Sequence, residues 1–210
     1  MNIPGIGVTT SRRAVQAAAA AGGLVDTFTD TDATLLTDHT PDSAPVGATW
    51  SATYSAYGAP GAFKIANNAT YQVTGGVNIG FAYIDTGLAD CTITANVRTP
   101  ASNGSGGTGI AFRVVNSTQY WYVDIVTVTS LRIVEDGVSV RASQAFDFSP
   151  STDYQIVLTL NGNSISVTAG GVTASYSSSV RATATKHGVL GYNIDSGDYS
   201  KIYDISVVSL

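Results

Sequence analysis

Short runs of alternating apolar and polar residues, separated by turn-forming pairs, fill the chain from residue 110 to residue 208. The clearest are residues 154–160, 163–169 and 172–176, joined by Asn161-Gly162 and Gly170-Gly171. Such pairs reach the positive φ angles that two-residue hairpins need, so three antiparallel strands are specified locally. Upstream, Trp50, Ala52 and Tyr54 share one phase, and Thr49, Ser51 and Thr53 the other. That period of two predicts a half-buried strand over 48–55. A first strand is expected at 26–30 with Phe28 inward, and others at 63–66, 70–73, 79–84, 92–99, 110–115, 120–126 and 131–135. After a hairpin at Asp136-Gly137 come 138–142 and the three-strand meander, then 188–194 and 201–208. About fourteen short strands at close intervals predict an all-β, two-sheet antiparallel jelly-roll sandwich.

The first 23 residues read differently. Thr9, Thr10 or Ser11 caps an Ala-rich segment that Gly22-Gly23 ends, so a short helix is expected there. A helix of about twelve residues is marginal alone and needs a surface to pack on. The division is therefore an N-terminal arm and helix at 1–23, anchoring or oligomerising, and a sandwich at 24–210.

Composition narrows the function. Charged residues make up 12% and the net charge is −5, which excludes the clustered basic groove that nucleic acid requires. The apolar stretches are too short to insert in a membrane. Cys91, the sole cysteine, falls in the apolar phase with Ile93, Ala95 and Val97 and reads as a core residue. Few charges on a Thr-, Ser- and Gly-rich chain suit a protein held in an assembly, and a homo-oligomer is expected.

Asp26-Thr-Phe28, the Trp50 strand, Gly109–Val114 with Gln119–Asp124, the 154–167 hairpin, His187–Tyr192 and Ile202–Val207 follow one another in a telling order. That order resembles the concanavalin A-like, laminin-G-like jelly roll. In style the chain is also similar to minor tail and virion-surface proteins of tailed bacteriophages. The resemblance implies a non-enzymatic structural or attachment protein of a virion, bound to other virion proteins through its arm and reaching host cell-surface glycan. The alternative is a secreted or surface carbohydrate-binding module.

Glucanases of this fold carry spaced strand carboxylates, about 5–5.5 Å or 6.5–9.5 Å apart. Here Glu135 is the only glutamate, and no expected strand has carboxylates at i and i+2, so hydrolysis is not expected. If Trp121, Val123 and Ile125 face the core, then Tyr120, Tyr122 and Asp124 face outward. Arg113 would lie beside them on the preceding strand, with Asn96 or Arg98 one strand further. Tyrosine faces stack on sugar rings, and Asp, Asn and Arg chelate hydroxyls. Simple cover of the sheet, or an interface, is the competing reading. The resemblance further implies a structural calcium between the terminal strands, at Asp26 and Asp204. Solvated turn carboxylates are the competing reading there.

Overall fold

A computed structural model describes residues 23–54, 62–73, 79–100, 107–126, 129–192 and 201–210. The arm and helix expected at 1–23 lie, apart from Gly23, outside the described residues. Among the described residues there is no α-helix, only a 3-10 turn at Leu36–Asp38.

Fifteen strands follow in order: β1 Leu24–Asp26, β2 Ser51–Tyr54, β3 Ala62–Ile65, β4 Thr70–Val73, β5 Ile79–Asp85, β6 Cys91–Arg98, β7 Gly107–Asn116 and β8 Gln119–Val126. The remainder are β9 Ser130–Glu135, β10 Ser139–Ala145, β11 Asp153–Asn161, β12 Ser164–Ala169, β13 Val172–Ser177, β14 Lys186–Tyr192 and β15 Lys201–Ser209. They form two antiparallel sheets, as the alternation predicts. One runs β13-β12-β11-β6-β15-β4-β3, with β1 also paired to β15; the other runs β10-β9-β8-β7-β14-β5-β2.

The core lies between the sheets. Strand β6 shows how it is built: Cys91, Ile93, Ala95 and Val97 are buried, while Thr92, Thr94, Asn96 and Arg98 are half-buried on the other face. Trp50, Phe63, Phe112, Trp121 and Phe148 fill the same layer. Strand β8 is buried on both faces from Tyr120 to Ile125. Its second face belongs to a separate apolar cluster of Phe81, Ala111, Val114, Tyr120, Tyr122, Val134 and Leu190. The seven-stranded sheet is therefore packed on its outer side as well.

Two local features depart from the expected pattern. The first strand stops at Asp26 because its Oδ1 accepts the Phe28 N–H at 2.8 Å. That Asx-type turn sends Phe28 into the left-handed region (φ 49°), yet the ring still reaches the core. In the 154–167 hairpin, Asn161 pairs with Ser164, so the two-residue loop is Gly162-Asn163 rather than Asn161-Gly162. Gly162 takes the positive φ (53°), which fits a turn with glycine first.

Candidate functional site

The outer face of the seven-stranded sheet carries the densest group of functional side chains. Register places them in two rows across the strands. In one, Val134, Tyr122, Ala111, Gly188 and Tyr83 are successive partners on β9, β8, β7, β14 and β5. In the next, Arg132, Asp124, Gly109, Leu190 and Phe81 line up in the same way. Ala111, Gly109 and Gly188 leave the middle of the face almost without side chains. The aromatic rings use that space: Phe81 and Tyr120 approach to 4.4 Å between centroids although two strands separate them. Tyr120 and Tyr122 stack at 6.2 Å, and Phe81 meets Tyr83 at 6.2 Å. The result is an aromatic floor.

Set into this floor is an ion pair. Arg132 donates through Nε to Asp124 Oδ1 at 3.0 Å and through Nη2 to Oδ2 at 2.6 Å. The planar fork of the guanidinium matches the carboxylate, and both bonds are charge-assisted. The Asp124 side chain is fully buried, whereas that of Arg132 is 25% exposed. Burial, with the Asp124 charge adding to it, pushes the Tyr122 phenol up, so it stays protonated. At the margin, Lys186 Nζ sits 5.6 Å from the centre of the half-buried Tyr83 ring.

The structure divides the expected constellation among three environments. Tyr120, Tyr122 and Asp124 do project away from the core, but they are buried in the second cluster rather than exposed. Asn96 and Arg98 are on β6, which belongs to the other sheet, so they line the opposite outer surface. There Asn96 Nδ2 donates to both oxygens of Asp204, at 2.8 and 3.0 Å, and Arg98 Nη1 donates to Asp153 at 3.0 Å.

Arg113 joins neither face. A register shift after Phe112 and a positive φ at Arg113 (49°) reverse the alternation and turn its side chain inward. It is fully buried, donates through Nη2 to the Gly162 carbonyl, and leaves Nε and Nη1 without a partner among the described residues. Beside it, His187 is buried, with Nε2 2.7 Å from the Leu88 carbonyl and Nδ1 accepting the Arg113 N–H at 3.3 Å.

The calcium pair does not form. Asp26 is paired with Ile205 in β1–β15 register and shares its inward phase, while Asp204 points outward to Asn96. The sheet itself separates the two carboxylates. Asp26 is also fully engaged, accepting from Phe28 N, from Trp50 Nε1 at 2.7 Å and facing His39 Nε2 at 2.9 Å. Those residues do not fit a metal ion. Among the described residues no group of three or more His, Cys, Asp or Glu side chains is placed to hold one.

Arg132, Phe81, Tyr83 and Gly188 were missing from the expected set. One signal was available: residues 120–126 and 131–135 form an obvious hairpin, and pairing them sets Asp124 opposite Arg132. The glycine gap and the contribution of β5 depend on long-range register, which no local pattern carries.

No protein-family model matches the chain, and no curated protein matches it. Solved structures do. The carbohydrate binding module CBM66 from Bacillus subtilis is 14% identical, with a TM-score of 0.54, over 76% of this chain and 90% of that one. The Emp46p carbohydrate recognition domain in its metal-free form is 14% identical, with a TM-score of 0.58, over 85% and 96%. The VIP36 exoplasmic/lumenal domain, in a Ca2+/Man3GlcNAc-bound form, is 10% identical, with a TM-score of 0.53, over 77% and 83%. At such identities the likeness is one of fold: a two-sheet jelly-roll β-sandwich. No helix of the described residues is long and apolar enough to cross a membrane.

Proposed function

We propose that this chain is a non-enzymatic carbohydrate-binding domain that holds a glycan against the outer face of its seven-stranded sheet. The observation carrying this reading is the Asp124–Arg132 pair set into an aromatic floor. A sugar presents apolar C–H faces and hydroxyl edges together; the half-buried Tyr83 ring suits the first and the Arg132 guanidinium the second. Arg132 and Tyr83, the members of the set that keep exposed surface, make the first contacts. The likeness in fold to a carbohydrate binding module and to carbohydrate recognition domains supports the same reading. Displayed on a virion or secreted, the domain would use the same face.

The carboxylates of this region support binding rather than cleavage. Glycoside hydrolysis needs two, one of them kept protonated. Asp124 is bound on both oxygens by Arg132. Asp85, the other carboxylate in the outward phase of β5, is held below the usual range by its bond to Thr185. Glu135 accepts from Arg141 at 2.8 Å and Arg181 at 3.2 Å. Each of these three is engaged by another side chain, which favours the binding reading.

The test is a glycan array followed by titration calorimetry on the best binder. Arg132→Ala should weaken binding by roughly ten- to a hundred-fold, the loss of charge-assisted hydrogen bonds worth about 1.5–3 kcal/mol. Circular dichroism checks that the variant keeps its sheets. Absence of binding to every glycan by the unaltered chain would end this reading.

A further inference from the structure

His39 lies 5% exposed between two carboxylates on different segments. Its Nε2 is 2.9 Å from Asp26 Oδ1, at the end of β1, and its Nδ1 is 3.0 Å from Asp30 Oδ2, in the following connection. A neutral imidazole has one N–H, so it would set a ring lone pair against one of these oxygens. Only with both nitrogens protonated can it donate to two ionised carboxylates.

The remaining bonds of the cluster are consistent with that charge state. Asp26 also accepts from Trp50 Nε1 and Phe28 N, and Asp30 from Thr31 N at 2.6 Å and Thr34 Oγ1 at 3.4 Å. From β1 the charged group facing His39 is Asp26; from the connection it is Asp30. Phe28 packs on the imidazole at 6.4 Å, Trp50 brings a neutral indole from the segment before β2, and Asp38, next in the chain, is exposed.

We infer that the doubly protonated imidazole of His39 bolts the 27–50 connection to β1 by a proton shared between Asp26 and Asp30. Held between the two carboxylates, the imidazolium is lost when pH rises. Burial pulls the His39 pKa down, yet the bonds to Asp30 and Asp26 and their charges outweigh it and hold it above 6.5. The clasp is therefore complete below pH 6.5 and is lost as pH climbs through the higher folded value. At the acid end Asp30 is held below 3.8 chiefly by His39, whereas burial raises Asp26 above 3.8, so the Asp26 half of the clasp is the first to be lost as pH falls.

The connection so fastened leads into β2, whose Ser51 and Thr53 pair with Tyr83 and Phe81. Alkaline loosening thus reaches the edge of the aromatic face.

The chain contains two histidines, which makes the test direct in the intact protein. Imidazole NMR signals are followed against pH in the unaltered chain and in His39→Gln. His187 is pushed down to about 4, so its signal stays that of a neutral ring across the range. The expected result is one imidazole titrating above 6.5 that disappears in His39→Gln. The unaltered Tm should fall by about 2–4 °C between about pH 6 and pH 9, with His39→Gln nearly flat there. Millimolar calcium and EDTA should leave Tm unchanged. A midpoint at or below 6.5, an equal alkaline slope in both proteins, or a calcium-induced rise in Tm that Asp26→Asn removes would each overturn the inference.

Discussion

His187 is a base that the folded chain keeps uncharged. Burial pushes its pKa down to about 4, while the Leu88 carbonyl pulls the other way and Arg113 adds to the depression. The unfolded chain takes a proton near 6.5, so acid favours unfolding. The stabilising contribution is whole above pH 6.5 and is lost as pH falls toward about 4. At about 1.4 kcal/mol per pH unit, the loss is on the order of 3 kcal/mol. Urea unfolding at neutral and mildly acid pH should show it as a lower midpoint at unchanged slope. At this scale the alternation in the sequence did well. It assigned Trp121, Val123 and Ile125 to one side and Tyr120, Tyr122 and Asp124 to the other. It did not reveal that the second side is buried too, because side-chain phase says which way a residue points and nothing about what lies beyond it.

Strand β7 shows where local pattern fails. Its alternation holds to Phe112, then a register shift and a left-handed residue put Arg113 on the wrong side of the count. The ladder resumes only at Asn116 opposite Gln119, so three residues of β7 stand against Tyr120 alone and the simple count fails across them. Nor did the order of strands reveal that β6 and β7, neighbours in sequence, cross from one sheet to the other, which separates Asn96 and Arg98 from Asp124. The same long-range register makes Gly188 demanding. A Cβ there would collide with the Ala82 carbonyl on the adjacent strand. Gly188→Ala should therefore destabilise by about 1–3 kcal/mol through overpacking, with Tm lowered accordingly. Ala111, its partner in the same row, already tolerates a methyl group.

The two sheets share one continuous core, from Trp50 beside β2 to Ile165 and Val167 on β12. A shared core predicts a single cooperative transition. The chain has two tryptophans, Trp50 just before β2 and Trp121 on β8, well apart along the same sheet. Tryptophan fluorescence and far-UV circular dichroism should trace superimposable urea curves at pH 6; separated curves would mean that the edge carrying β2 melts independently.

Strand β6 lies at the centre of its sheet, hydrogen-bonded to β11 on one side and β15 on the other, and β1 closes on β15 as well. During translation, then, β6 leaves the ribosome more than a hundred residues before its second neighbour exists. Until β15 is made, a bare ladder of amides stays available to any passing strand. Nascent chains halted just short of β15 should recruit holdase chaperones, and those that include it should shed them.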